Sequence, residues 1–461
     1  MVMKRWSRAA RLLQEGSLYA LLLLLPFSKA ACEMTFGLLL LGWVMERLHP
    51  ATRADTVWLS DRLRPLTLAI GAYLLVCALS ILVSDFPQKS LQGFVNKWLE
   101  YLWFTVIVTD LVARPEGGSR IVQRGLLFMA SSAACIVLQG IAQEMYIATR
   151  PFGYDASFMY HRMVGPYENP IDLATYFMVL IPVLVGLVMT LRGARRAGVS
   201  ALLVGVLVCI ARLESFGAWI GLWIGLLVMV SMERRLRWSG GVLLVGSIVS
   251  GWWFLQRIGH LEKLSLTNIG KVDRWMMWQA AIGMIRDQPL LGHGINTFMA
   301  NYVAYWVGGE RMPRYAHNCF LQIAAETGIA GLLAFVWLVG AMLVLWWRAV
   351  RRLESSHEAR ALLLGLGAGL VAFLAQSSID TNFYSLRQAT LFWTLAGLAT
   401  GLALTTFEET GSAAGQPTAV GRAMCSPDRS GRPAEPACRA VRGAGRAALR
   451  SAEALPASPA S

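Results

Sequence analysis

Residues 317–347 read HNCFLQIAAETGIAGLLAFVWLVGAMLVLWW, an apolar run that opens with a histidine and an asparagine. A helix needs about 20 apolar residues to cross a hydrocarbon core that is about 30 Å thick. The run therefore predicts a transmembrane helix whose first residue, His317, lies where water meets hydrocarbon.

A polar stripe runs into this predicted helix. Asn318, Gln322 and Glu326 follow one another at every fourth position, which places them on one helical face. Polar side chains inside a membrane face other helices or a water-filled cavity, so we expect this face to be covered. Gly328 and Gly331 predict that a neighbouring segment packs closely against the helix.

The whole chain has the composition of a membrane protein. Of its 461 residues, 56% are hydrophobic and 15% are charged, and the mean hydropathy is +0.50. A soluble domain of this length does not need so many apolar residues. We predict an all-α, polytopic integral membrane helix bundle with about twelve transmembrane helices. The predicted spans are residues 12–28, 30–45, 66–84, 98–113, 121–145, 172–191, 197–213, 215–232, 238–256, 317–347, 360–379 and 387–406.

Positive charge alternates along the links between these spans. Every second link is rich in arginine when residues 12–28 and 30–45 are counted as two crossings, and merging them destroys the alternation. Because cytoplasmic links retain lysine and arginine, both termini are predicted to be cytoplasmic. The formal charge of +14 is then mostly a topology signal and requires no nucleic-acid partner.

The candidate chemistry falls on the outward links, the longest of which is residues 257–316. Residues 266–286 predict an amphipathic helix that presents Arg274 one turn from Trp278. Such a helix either anchors the protein among membrane lipids or presents a cation to a substrate. A glycine-rich turn that carries His293 follows it.

Four segments together resemble the motifs of one family. They are RMVGPYENP from Arg162, ESFGAW from Glu214, DRWMMWQAAIGMIRDQPLLGHGINTF from Asp273 and HNCFLQIAAETGIAGLLAF from His317. The chain is similar in these segments to the O-antigen ligase and polymerase superfamily. The resemblance extends over most of residues 20–405.

The resemblance implies a glycosyltransferase of the bacterial inner membrane whose active site faces the periplasm. The implied donor is a glycan on undecaprenyl pyrophosphate, and the implied acceptor is the lipid A-core oligosaccharide. In such ligases a histidine activates the acceptor and arginines hold the pyrophosphate. By motif these roles fall on His317 as catalytic base and on Arg162 and Arg274.

One position departs from the family pattern. The short link of the family usually reads Ser-Arg-Gly-Ala-Trp, whereas this chain has Phe216 in place of the arginine. Arg212 lies four residues earlier, so we expect it to share a helical face with Phe216 and to supply the missing cation.

The chemistry of such a site can be stated from its side chains. A sugar linked through C1 to a polyprenyl pyrophosphate already has a good leaving group, and arginines can offset its growing charge. A neutral histidine can remove the proton from an attacking hydroxyl, and attack from the opposite face inverts the anomeric centre. The outward links show no ligand cluster, so we predict a reaction without metal or cofactor.

Other functions remain open. A polymerase that joins repeat units, or a ligase that modifies protein, would use the same donor and similar residues. A transporter of an anionic solute would also place arginines and polar stripes inside a helix bundle, and it should show broken helices in paired repeats. His317 can also be read as a structural histidine.

Four further residues are lower-ranked members of the site. Lys89 either helps to hold a phosphate or is a solvated lysine. Arg387 is explained by an ion pair or by a donor contact, and Glu326 is expected to orient a partner arginine. His293 ranks after His317 as the base because its glycine-rich loop looks mobile.

The last residues differ from the rest in composition. Residues 1–407 are predicted to form the transmembrane glycosyltransferase domain. Residues 408–461 have few large apolar groups and many Ala, Gly, Pro, Ser and Arg residues. They cannot bury enough surface to fold alone, so we predict a disordered cytoplasmic tail.

Overall fold

The structure is a computed structural model that describes residues 2–48, 57–114, 117–148, 163, 165–167, 169–213, 215–238, 241–242, 245–246, 248–249, 272–308, 312, 314–354 and 357–415. All regular secondary structure in these residues is helical, and none of them lies in a β-strand. The predicted all-α fold is therefore confirmed.

Fourteen helices are used in the description below. They are α1 (Val2–Leu24), α2 (Lys29–Arg47), α3 (Arg64–Leu82), α4 (Pro87–Gly93), α5 (Glu100–Val112), α6 (Gly118–Ala148), α7 (Pro170–Thr190), α8 (Gly193–Arg212), α9 (Phe216–Met232), α10 (Val272–Asp287), α11 (Phe298–Asn301), α12 (Cys319–Arg352), α13 (Glu358–Ser377) and α14 (Leu386–Gly415). A π-helical turn, Phe94–Leu99, joins α4 to α5.

Seven helical segments among the described residues are long and apolar enough to cross a membrane. They are Arg64–Leu82, Gly118–Gln143, Pro170–Thr190, Gly193–Arg212, Cys319–Arg352, Glu358–Ser377 and Leu386–Phe407. The chain is thus a multi-pass membrane protein. The helices α1, α2, α5 and α9 lie at predicted spans but are not among the seven, and much of the span predicted at 238–256 lies outside the described residues. The total of about twelve crossings therefore stays a prediction.

The first two predicted spans are separate helices that pack together. The Ser28 hydroxyl caps α2 by accepting a hydrogen bond from Ala31 N. Gln14 on α1 donates to Glu46 on α2 at 2.8 Å, so the pair is antiparallel. This arrangement agrees with two segments rather than one merged helix.

The buried centre of the fold contains α7, α13 and α14. Most residues of these helices are buried inside the protein. Helices α7 and α13 approach closely at glycines, because a Cβ atom on Gly186 would lie 2.6 Å from Ala361 O and 3.1 Å from Gly365 Cα. Small residues allow this close backbone approach between helices in a membrane.

Helix α12 is broken at Gly328, inside the span predicted as one helix. Gly328 has φ 69° and ψ −178°, a backbone conformation that residues other than glycine essentially never adopt. The freed amide of Ile329 donates to Pro289 O at 2.8 Å. A Cβ atom on Gly328 would overlap the Leu290 carbonyl. The predicted close neighbour of Gly328 is therefore the loop that follows α10.

Ion pairs connect the helices at the end of the bundle that is opposite to the start of α12. The pairs are Arg47–Asp110, Arg114–Glu46 and Arg360–Glu233. Glu233 is fully buried, and Arg360 also donates to Met232 O at 2.7 Å and to Val350 O at 3.2 Å. These arginines lie in or beside links that were predicted to be cytoplasmic.

The described residues up to Thr406 belong to one compact unit, and a second unit begins at Phe407. Helix α14 continues through Gly415, so residues 408–415 of the predicted tail are helical. Residues 416–461 lie outside the described residues.

We predict that Gly328→Ala destabilises the protein, because the added Cβ meets the Leu290 carbonyl and the left-handed backbone is strained. The expected loss is about 2 to 4 kcal/mol, measured as a lower thermal midpoint of the detergent-purified protein. Gly340→Ala in the same helix is the control, because a Cβ there meets nothing within 4 Å. Equal midpoints for the two variants would contradict the role given to the break.

Candidate functional site

The link between α13 and α14, residues 378–385, receives side chains from two other parts of the chain. Arg274 on α10 donates from Nη1 to the Ile379 carbonyl at 3.2 Å. His317, just before α12, has its Nδ1 atom 3.3 Å from Asp380 Oδ1. The predicted base and one predicted donor-binding arginine therefore contact consecutive residues of this α13–α14 link.

His317 precedes the cap of α12. The Asn318 side chain accepts hydrogen bonds from Phe320 N and Leu321 N, both at 3.0 Å, and the helix begins at Cys319. His317 has a φ of 49°, which is uncommon for a residue with a side chain. Backbone strain of this kind is frequent at functional sites.

The contact with Asp380 orients the imidazole ring of His317. An ionised carboxylate only accepts hydrogen bonds, so in the neutral ring Nδ1 carries the proton and Nε2 is the basic nitrogen. The His317 side chain is 32% exposed, which leaves it accessible to a substrate. Asp380 also accepts a hydrogen bond from Thr381 N at 2.8 Å. A histidine held in this way can accept a proton while the carboxylate stabilises the resulting imidazolium.

Sequence reasoning gave no functional role to Asp380. The residue is 63 positions away from His317 in the chain, and nothing in its local sequence points to the histidine. Only the packing of α12 beside α13 brings the two together.

Helix α10 packs against protein with its apolar side. Met277, Ala281 and Met284 are buried in a cluster with Phe298 and Tyr302. The apolar side of the predicted amphipathic helix is thus partly covered by the segment that follows, whereas Trp275 is exposed. This packing holds Arg274 at the α13–α14 link.

Of the other two predicted donor-binding arginines, the structure describes Arg212 only. Arg162 lies outside the described residues. Arg212 is exposed at the end of α8, and α9 begins at Phe216 after the Ser215 cap. The expectation that Arg212 and Phe216 share a helical face was wrong, because the chain turns between two helices at Leu213. Whether Arg212 binds the donor stays a prediction.

Two lysines near the π-helical turn have different surroundings. Lys89 on α4 is exposed, with its ammonium 5.3 Å from the centre of the Phe86 ring. Lys97 lies within the π-helical turn and donates to Asn296 Oδ1 at 2.9 Å. Residues 85–97 were predicted as a link, yet most of them are helical, and the sequence gave no sign of the contact made by Lys97.

His293 is buried and contacts the end of α10. It is only 6% exposed, and its Nε2 lies 3.2 Å from Met284 O and 3.4 Å from the Tyr305 hydroxyl. A carbonyl can only accept, so Nε2 carries the proton and is not available as a base. The loop is also held by His293 N donating to Ala325 O at 3.1 Å. The expectation of a mobile loop was therefore wrong, whereas the role of His293 as a second candidate base stays a prediction.

The Tyr305 hydroxyl contacts both His293 and the last residue of α10, Asp287. It donates to Asp287 Oδ2 at 2.7 Å. Burial, together with the hydrogen bond to Asp287, raises the pKa of Tyr305 to about 12. The phenol therefore stays protonated at neutral pH and fastens the end of α10.

Glu326 is fully buried, and none of the described residues that donate to it is an arginine. Its carboxylate accepts from the backbone amides of Asn296 at 2.7 Å and Phe298 at 3.1 Å. It also accepts from Gln322 Nε2 at 3.1 Å and from the Tyr384 hydroxyl at 2.8 Å. The expectation that Glu326 orients a partner arginine was wrong, since amides and a phenol take that place.

Arg387 donates to three backbone carbonyls. Its guanidinium donates to Pro26 O at 2.7 Å, to Pro166 O at 2.9 Å and to Tyr167 O at 3.2 Å. It also stacks 4.4 Å from the centre of the Tyr167 ring, and it is 5% exposed. These carbonyls take the place of the predicted ion pair among the described residues, and whether Arg387 also contacts the donor stays a prediction.

The site thus belongs to a multi-pass helical membrane protein and combines an oriented, accessible histidine with a neighbouring guanidinium group. Within the described residues no group of three or more His, Cys, Asp or Glu side chains is placed to hold a metal ion. An imidazole base beside a cation suits proton removal from a hydroxyl close to an anionic group.

Comparison with known proteins points to one family. Residues 201–336 match the sequence model of the family described as O-antigen ligase. The match includes Arg212, Arg274 and His317, and it confirms the resemblance found in the sequence. A Rickettsia felis protein that carries the name polysaccharide ligase is 26% identical over 301 residues, which are 61% of this chain and 68% of that protein.

We predict that diethyl pyrocarbonate distinguishes the three described histidines in the detergent-purified protein. His317 is partly exposed and His357 is exposed, so both should be modified, whereas buried His293 should react about 10-fold more slowly or less. Peptide mass mapping measures each rate. Rapid modification of His293 with protection of His317 would contradict the arrangement described here.

Proposed function

We propose that this protein is an O-antigen ligase, which transfers a glycan from undecaprenyl pyrophosphate to the lipid A-core oligosaccharide. The observation that carries the proposal is the meeting of Arg274 and His317 at Ile379 and Asp380. The family match over residues 201–336 supports a ligase- or polymerase-type reaction. Glycan transfer from such a donor requires a base and cationic groups, which is what these side chains provide.

The pyrophosphate of the donor binds at Arg274 in this proposal. The guanidinium has five N–H donors in a planar fork, and the contact with Ile379 O uses only one of its nitrogens. A planar fork of this kind matches phosphate oxygens and offsets their charge. Arg162 and Arg212 are proposed as further ligands of the same group.

His317 acts as the general base. Its Nε2 takes the proton from the acceptor hydroxyl as that oxygen forms a bond to C1 of the donor sugar. The bond between C1 and the pyrophosphate oxygen breaks, and undecaprenyl pyrophosphate leaves with the electron pair. Asp380 stabilises the imidazolium, and attack from the face opposite the leaving group inverts C1.

The proposed site opens on the periplasmic side of the bacterial inner membrane. His317 and the α13–α14 link lie at one end of α12 and α13. The arginine-containing ion pairs lie at the other end, and arginine-rich links are retained in the cytoplasm. Both termini are proposed to be cytoplasmic on the same grounds.

A polymerase, or a ligase that modifies protein, remains the alternative within the same chemistry. The description of the matching family favours the ligase. A transporter would use a broken helix to bind its solute, and α12 is broken at Gly328. The freed backbone groups there bond instead to the loop at Pro289 and His293, which favours a structural role for the break.

The decisive experiment uses the purified protein in liposomes with a lipid-linked glycan. One reaction receives lipid A-core acceptor and another receives free lipid-linked repeat units. We expect glycan on the lipid A-core, and His317→Ala should reduce the rate by about 10²-fold or more. His357→Ala, at the exposed cap of α13, is the control. Chain extension of the repeat units alone would identify a polymerase, and full activity of His317→Ala would refute the base.

A second prediction concerns the donor. Arg274→Ala should raise the KM for lipid-linked glycan about 10- to 100-fold, because it removes charge-assisted hydrogen bonds to the pyrophosphate. Arg286→Ala is the matched control, since Arg286 is an exposed arginine in the last turn of the same helix. Steady-state rates at varied donor concentration measure the effect, and equal KM values for the two variants would rule out Arg274 as a pyrophosphate ligand.

A further inference from the structure

The carboxylate of Glu326 has four hydrogen-bond donors around its two oxygens. They are the amides of Asn296 and Phe298, Gln322 Nε2 and the Tyr384 hydroxyl. An ionised carboxylate has acceptor sites for all four and needs no proton of its own. The carboxyl group is therefore fully hydrogen-bonded in a fully buried position.

A cation lies in the same network. Lys97 donates to Asn296 Oδ1 at 2.9 Å, and the amide of Asn296 donates to Glu326 Oε2 at 2.7 Å. Asn296 therefore contacts Lys97 through its side chain and Glu326 through its backbone N–H. Its φ of 61° is uncommon for a residue other than glycine. A buried charge needs such compensation to be tolerated. Lys97 is held in the π-helical turn, a feature frequent at functional sites.

The network reaches the proposed active site through the α13–α14 link. The Tyr384 hydroxyl on this link donates to Glu326 Oε2 at 2.8 Å. Four residues earlier on the link, Asp380 contacts His317. The Asp380 carbonyl also accepts from Cys319 Sγ at 3.2 Å. Helix α12 therefore holds the link at two points, Cys319 at one end and Glu326 at the other.

We infer that Glu326 is a positioning residue for glycan transfer, because it fixes Tyr384 and thereby the Asp380 that orients His317. The inference rests on the proposed function. Glu326 itself is enclosed by donors and touches no substrate. Displacing the link would move the Asp380 carboxylate away from His317 and the Ile379 carbonyl away from Arg274, and small misplacements of reacting groups slow a reaction strongly.

The test compares Glu326→Gln and Tyr384→Phe with the native full-length protein. The amide of glutamine offers one acceptor oxygen and two unwanted N–H donors, whereas phenylalanine removes only the hydroxyl. We expect kcat to fall about 10- to 100-fold in both variants. The double variant should be no slower than the slower single variant, because both changes disrupt the same hydrogen bond between Tyr384 and Glu326.

Cys319 provides a readout that does not depend on catalysis. Its thiol is buried beneath the link and donates to Asp380 O, so N-ethylmaleimide should modify it slowly in the native protein. Loosening the link should raise the labelling rate of Cys319 about 10-fold or more, as followed by peptide mass mapping. Glu233→Gln is the matched control, because Glu233 is an equally buried carboxylate at the opposite end of the bundle. It should lower the thermal midpoint and leave Cys319 protected.

Unchanged protection of Cys319 in both Glu326→Gln and Tyr384→Phe would overturn the inference, and so would equal exposure in Glu233→Gln. A double variant whose rate loss is the product of the two single losses would also overturn it. A native protein that transfers no glycan would refute the proposed function instead, while the Cys319 labelling rates still decide whether Glu326 holds the link.

Discussion

The break in α12 at Gly328 is the constraint on which the half of the protein that contains His317 depends. A helix that is interrupted within a membrane leaves backbone donors and acceptors that must find partners inside the protein. The loop after α10 provides them: Pro289 O accepts from Ile329 N, and Gly294 N donates to Glu326 O at 2.8 Å. The loop therefore supplies backbone hydrogen-bond partners that α12 lacks at its break. Its continuation brings the amides of Asn296 and Phe298 to the Glu326 carboxylate.

The two ends of the bundle differ in what their polar groups do. At one end, arginine and carboxylate side chains such as Arg360 and Glu233 pair with each other and join neighbouring helices. At the other end, His317 has strained backbone and a partly exposed ring. Paired charges at the first end stabilise the helix packing, so the second can keep a conformation that is locally unfavourable. Such strain persists only where the contacts around a residue hold it in that backbone conformation.

The structure departs from three expectations, each of which was argued from the local sequence alone. The pairing of Arg212 with Phe216 assumed a continuous helix, whereas the chain turns between α8 and α9. His293 follows a proline and adjoins glycines, and this composition is typical of mobile loops, yet backbone bonds from α12 hold it in place. Arg387 has the charge expected for an anion site, yet its guanidinium donates to three backbone carbonyls.

The sequence by itself determined the membrane class, the positions of most helices, the family resemblance and the choice of His317 and Arg274, because hydropathy and short motifs are local properties. Only the tertiary structure decided which groups meet. Asp380 is 63 residues from His317, and Lys97 is 199 residues from Asn296. Such pairs depend on how helices pack and where one of them breaks. The side-chain periodicity of a single helix has no information about the neighbour that faces it.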